Sequence, residues 1–132
     1  MTPLRFFASI SEKSIPEVEN SFQPSTKHGA DIRFYGAVRD RENGREISGI
    51  EYSFYEGMAL KELNRIGEAM LTESPEHLAF IHHKVGFVAA GEASIIIRVQ
   101  TAHSAEGFDL SRDYLSRIKK SVPIWKKPVF VE

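Results

Sequence analysis

The chain has 132 residues, 42% of them hydrophobic and 27% charged, which suits one globular domain spanning 1–132 with room for a small subdomain. Seventeen Lys and Arg against eighteen Asp and Glu give a net charge of −1, so the whole-molecule field supplies no pull toward nucleic acid or an anionic membrane. With no cysteine there is no disulfide, thiolate nucleophile, persulfide or cysteine-ligated zinc, and any sulfur handled here must be carried by another molecule. The apolar stretches are short and interrupted by charge, and Met1-Thr2-Pro3-Leu4-Arg5 lacks a signal-like apolar run. The expectation is a cytoplasmic protein that does not span a membrane.

In chain order, Leu4 to Ile10 reads as a first strand, and Ser14 with Pro16 and Glu17 as the entry of a short helix ending near Phe22. Ser25 to Gly29 is turn-like. Asp31 to Val38 reads as a strand interrupted by Gly36, where a missing side chain permits close approach by another group. Asn43-Gly44 accepts positive φ and is placed to fold a charged loop, Arg39 to Glu46, into a hairpin with Ile47 to Phe54. From Met58 to Leu71, apolar residues at Ala59, Leu60, Leu63, Ile66, Ala69 and Met70 trace one face of a helix.

Leu78 to Phe87 and Ala93 to Ala102 form a predicted antiparallel pair across Gly91-Glu92, and the unalternating Ile95 to Ile97 implies burial on both faces. A second helix is predicted from Ala105 to Lys120, with Phe108, Leu115 and Ile118 inward, stopping before Pro123. Ile124 to Val131 returns to an extended pattern. Helices interspersed with hairpin-linked strands, without regular strand-helix-strand alternation, make the fold class α+β with an antiparallel sheet and two main helices.

Chemistry concentrates between Arg112 and Lys127, where Arg112, Arg117, Lys119, Lys120, Lys126 and Lys127 are opposed only by Asp113. This is either an anion site or a solvated basic face, since long cationic side chains favour water and complement a helix C-terminus. Lys119 and Lys126, if they converge, are candidates for nucleophilic or acid-base work. Trp125 is either an anchor that aims the following lysines or an ordinary core tryptophan. Arg39 has the forked donors that clamp phosphate or carboxylate, and is otherwise a surface arginine. His103 stands at a strand end just before a helix, where loops build sites, although a surface role fits it equally. His82 and His83 are neighbours on one strand, point to opposite faces, and cannot chelate one metal, so no metal site is expected. No glycine-rich phosphate loop, HExxH helix or GxSxG elbow is present.

Gly29-Ala30, Phe34-Tyr35-Gly36-Ala37-Val38-Arg39, Glu51-Tyr52, Tyr55-Glu56-Gly57-Met58-Ala59, Ile81-His82, Gly86, Gly91-Glu92, Ala102-His103 and the run Val122-Pro123-Ile124-Trp125-Lys126-Lys127 match one family in order and spacing. Together they resemble the large subunit of molybdopterin synthase. The resemblance implies an α/β-hammerhead fold and a homodimer within a heterotetramer, each copy receiving a small ubiquitin-like sulfur carrier. The carrier's C-terminal Gly-Gly, activated as a thiocarboxylate, would deliver two sulfurs in turn to cyclic pyranopterin monophosphate, with no cofactor of the enzyme's own.

Carried over by motif position, Lys119 and Lys126 would be the catalytic pair beside the carrier tail. Arg39, His103 and Lys127 would bind the anionic substrate. The chain departs from the family pattern at Ser104, His83 and Pro128, where the family usually has arginine, arginine and an acidic residue. Ser104, with an end at Glu132 where relatives usually continue further, motivates an alternative, a non-catalytic relative that still binds the carrier. A basic module binding RNA through Arg112 to Lys127 is disfavoured by the near-zero net charge.

Overall fold

The computed structural model describes residues 5–19 and 25–132. Eleven elements follow along these residues: β1 (Phe6–Ser11), α1 (Ile15–Glu19), β2 (Ala30–Ala37), β3 (Arg41–Glu42), β4 (Arg45–Phe54), α2 (Met58–Glu73), β5 (Leu78–Lys84), β6 (Gly86–Ala89), β7 (Ala93–Thr101), α3 (Ser104–Ser121) and β8 (Ile124–Phe130). The expected end of the first helix near Phe22 lies outside the described residues.

One sheet has the order β1-β5-β7-β2; β5/β7 is antiparallel as expected, and β7/β2 is antiparallel as well. The β1/β5 pair is parallel. Parallel pairing needs a long crossover, and here it spans everything from α1 to α2, a distance over which local patterns carry no pairing information. On one face Ile95, Ile97 and Val99 of β7 and Ala79 and Ile81 of β5 meet Leu63, Ile66 and Met70 of α2 and Leu110, Tyr114 and Ile118 of α3. On the other face Ile96 and Phe80 pack against Ile15 of α1. β7 is therefore buried on both sides, which is why Ile95 to Ile97 shows no alternation.

A second sheet is built around β4, which pairs antiparallel with β6 and β8 and is extended by β3. Asn43 (φ 54°) and Gly44 (φ 75°) form the two-residue turn expected between β3 and β4, both in the left-handed region that a type I′ hairpin demands. The strand expected to run unbroken from Leu78 to Phe87 is instead divided at Gly86. Its φ of 81° turns the chain out of the first sheet and into the second. Phe108, expected inward on α3, is 59% exposed. The buried stripe runs through Gly107, Leu110, Ser111, Tyr114 and Ile118, and at about 100° per residue Phe108 falls roughly a quarter-turn from its centre.

Two fully buried polar side chains fasten α3 to the segment before β5. His77 Nδ1 faces the Ser74 carbonyl at 2.6 Å, which can only accept, so Nδ1 carries the proton and Nε2 accepts from the Tyr114 hydroxyl at 2.6 Å. Burial pushes the histidine down and the tyrosine up, keeping both neutral. Replacing Tyr114 with phenylalanine leaves Nε2 buried without a donor and is expected to cost about 1–3 kcal/mol. Urea unfolding checks this through a lowered midpoint at unchanged slope.

Candidate active site

Where the two sheets meet, the C-terminal half of α3 and the start of β8 enclose a cavity of about 340 Å³. Phe34, Gly36, Ala37, Ser94 and Ile95 contribute its floor from β2 and β7. Leu115, Ile118, Val122 and Ile124 supply an apolar wall from α3 and the link to β8, while Lys119, Lys126, Tyr52 and His83 bring polar heads to it.

Lys119 lies in the last turn of α3, one residue past the buried Ile118, so the helix surface that seats Ile118 in the core also presents Lys119 beside the cavity. Lys126 arrives from β8, where it is the register partner of Tyr52. The alternation of the strand places Ile124, Lys126 and Tyr52 together toward the cavity and turns Trp125 and Lys127 to the other face. The two lysines expected to act together are thus brought to one site from elements that the sequence joins only through Val122-Pro123.

The other sequence candidates sit elsewhere in the single chain. Arg39 is 80% exposed and 3.6 Å from Glu42. His103 caps the start of α3 with its backbone, its carbonyl accepting from the Thr101 hydroxyl at 2.6 Å. Sixteen residues of helix separate it from Lys119, about 24 Å at 1.5 Å per residue. Lys127 is paired in register with Glu51 on the face away from the cavity. Trp125 is 55% exposed and is neither a core residue nor a wall of the site. The basic run is divided as well, since Arg117 is tied to Glu73 at 2.7 Å and to Asp113 at 2.9 Å rather than facing solvent ions. Among the described residues no cluster of three metal-binding side chains exists.

His83 is the cavity residue to which the sequence reading gave no role. Its strand alternates as expected, with His82 on the α1 side, where Nε2 donates to the Lys13 carbonyl at 2.9 Å and Nδ1 accepts from Ser9 at 2.7 Å. His83 faces the helices and lines the cavity, its ring edge-on to Tyr52 at 5.1 Å. Nδ1 donates to the Lys84 carbonyl at 2.7 Å, which fixes the tautomer. Burial first, and the nearby His82 and Lys126 charges as well, push this imidazole down to about 4. The available signal was periodic: His83 is the register partner of Ile95, two positions from Ile81 on the core-facing side.

Gly36 shapes the floor. A Cβ there would come within 2.7 Å of Ile95 Cγ2, so the absent side chain lets β2 and the Ile95 side chain close the cavity from below. Gly36→Val is expected to displace Ile95, lower stability by about 1–3 kcal/mol through overpacking, and shrink the cavity. Unfolding by denaturant together with ligand-binding isotherms would check both effects.

The chain is thus an α+β protein of two sheets, with an apolar-walled cavity lined by Lys119 and Lys126 at their junction. The family described as MoaE protein matches residues 9–121, and the chain belongs to that family. It is similar to molybdopterin synthase catalytic subunit 2 of Aedes aegypti, 38% identical over 106 residues covering 79% of this chain and 68% of that protein. It is also similar to the molybdopterin synthase catalytic subunit of Pyrococcus abyssi, 35% identical over 105 residues covering 80% and 71%. Among solved structures it is similar to molybdopterin synthase from Staphylococcus aureus, with a TM-score of 0.84 and 28% identity over 94% of this chain and 90% of that one. The fold also matches a complex of subunits 1 and 2 of molybdopterin-converting factor from Helicobacter pylori, with a TM-score of 0.73 and 18% identity over 96% and 90%. The α/β-hammerhead expectation agrees with these neighbours.

Proposed function

We propose that this chain is the large, catalytic subunit of a molybdopterin synthase, transferring two sulfurs from a thiocarboxylated small carrier subunit to cyclic pyranopterin monophosphate. The observation that carries the reading is the convergence of Lys119 and Lys126 on one cavity in a chain of this family. A protein without cysteine takes its sulfur from a partner, and a cavity with apolar walls and two lysines in its lining suits an extended chain terminus ending in a negative charge. In this reading Lys119 serves the acid-base steps and the collapse of the carrier-bound intermediate, and Lys126 stabilises negative charge as it develops.

Arg39, His103 and Lys127 remain substrate contacts in this proposal, and since none of them lines the cavity of the single chain, a homodimer gives them a natural place, where a second copy can bring them to the same substrate. Two large and two small subunits then form the working heterotetramer. The chain acts as one domain, residues 1–132. Among the described residues no helix is long and apolar enough to cross a membrane, in keeping with work in the cytoplasm.

A carrier labelled with radioactive sulfur at its terminal thiocarboxylate tests the reading. Label should leave the carrier only when both this chain and the pterin are present, and release independent of the pterin would contradict it.

A further inference from the structure

We propose that His83 is a conditional third cation of the cavity, taking up a proton together with an anion of the carboxylate or phosphate class that seats between Lys119 and Lys126. The inference rests on the anion-handling reading above and adds a proton to the binding event.

The geometry carries it. His83 lines the cavity while only 8% exposed, and its Nδ1 is committed to the Lys84 carbonyl. Nε2 has no hydrogen-bond partner among the described residues and keeps some accessible surface in a residue that lines the cavity. Among the described residues the titratable groups that share the lining are Tyr52 from β4, Lys119 from α3 and Lys126 from β8, and no carboxylate lines it. From β7 come Ser94, whose hydroxyl donates to the Gly36 carbonyl, and Ile95. From β1 the register partner is Ile10. On its own strand, His82 is turned to the opposite face, and Lys84 is held by Glu92 at 2.6 Å.

An empty cavity thus offers the imidazole cations and apolar surface, and both hold it neutral. An anion entering between the lysines reverses the balance, because a negative charge a few ångströms away favours imidazolium, and Nε2–H then becomes a donor to the anion. Proton and anion must strengthen each other's binding by the same factor. A permanent cation at this buried position would carry its desolvation cost whenever the site is empty, whereas the histidine carries charge only when a counter-charge is present.

Imidazole NMR of the whole chain tests this with two probes at constant ionic strength. Sulfate stands for a phosphate group and keeps its charge across the range, and N-acetylglycylglycine presents a chain-terminal carboxylate. Saturation with at least one probe should raise the His83 titration midpoint by about one pH unit or more. Affinity for that probe should strengthen by up to about tenfold per pH unit as pH falls below the shifted midpoint, and His83→Gln should abolish the dependence. The probe that moves the midpoint identifies which anion the histidine serves. A midpoint unmoved at saturation overturns the proposal, as does the absence of saturable binding by either probe. Because sulfur release is measured separately, a chain that transfers sulfur with an unmoved His83 loses this proposal alone.

Discussion

Lys119→Ala is expected to reduce sulfur transfer to background, a loss of at least about 100-fold in kcat, while leaving the fold intact. The two halves of this expectation have separate origins. Lys119 is exposed in the last turn of α3, where its contribution to the helix dipole is worth about 0.3–1 kcal/mol. Its neighbour Ile118 remains seated in the core, so unfolding midpoints should move little. Lys119, however, is with Lys126 one of two Lys or Arg residues that line the cavity among the described residues. A donor aimed at developing negative charge in a site walled by apolar groups typically contributes two to three orders of magnitude. Steady-state kinetics with circular dichroism and a urea titration would check it. Retained turnover would remove Lys119 from the mechanism, and a collapsed midpoint would make its role structural.

Acid should unfold this protein over a window set by histidines. His77, His82 and His83 are all buried, each with one ring nitrogen donating to a backbone carbonyl, and burial lowers all three from 6.5. Because the folded state binds these protons less readily than the unfolded chain, the histidines' contribution is fully present above pH 6.5 and is lost as pH falls. For His83 the window runs from 6.5 down to about 4, on the order of 3 kcal/mol in total. His77 and His82 add loss in the same direction. Asp31, held low by the Arg98 guanidinium, adds a further loss only toward its ordinary value of 3.8. Urea midpoints measured from pH 7.5 to 4.5 should fall continuously, and His83→Gln should flatten the curve. A midpoint that is level across this range would contradict the neutral, buried assignment.

Local signals carried much of the fold. The helix from Met58 and the Asn43-Gly44 turn depend on neighbouring residues alone and stand where the pattern placed them, although Leu60 of the expected stripe is 38% exposed and the buried face runs through Ala59, Leu63, Ile66, Gly67 and Met70. The features that local patterns do not carry depend on distant partners. The parallel register of Phe6 with Ala79 joins segments more than seventy residues apart, and the break at Gly86 is set by the second sheet capturing β6. Phe108 was misplaced because a helix edge and a helix face differ by a fraction of a turn, which the packing of Ile32 and Thr101 against Gly107 decides.

The site was legible to a similar degree. Lys119 and Lys126 are lysines of one basic run whose interest depends on their converging, and both line the cavity. Arg39, His103 and Lys127 were motif positions, and no spacing along a chain says whether a residue reaches its own pocket or a second copy's. His83 went unassigned because its role follows from a sheet register and from the helix laid over it, and neither is visible from two adjacent histidines.

The measurement that bears most directly on the central claim is molybdopterin formation from purified chain, thiocarboxylated carrier and cyclic pyranopterin monophosphate, read from the fluorescence of the oxidised product. Product that appears with the wild-type chain and vanishes with Lys119→Ala is the expected result. Carrier that binds without any product forming would contradict it and leave a non-catalytic member of the family that docks the carrier alone.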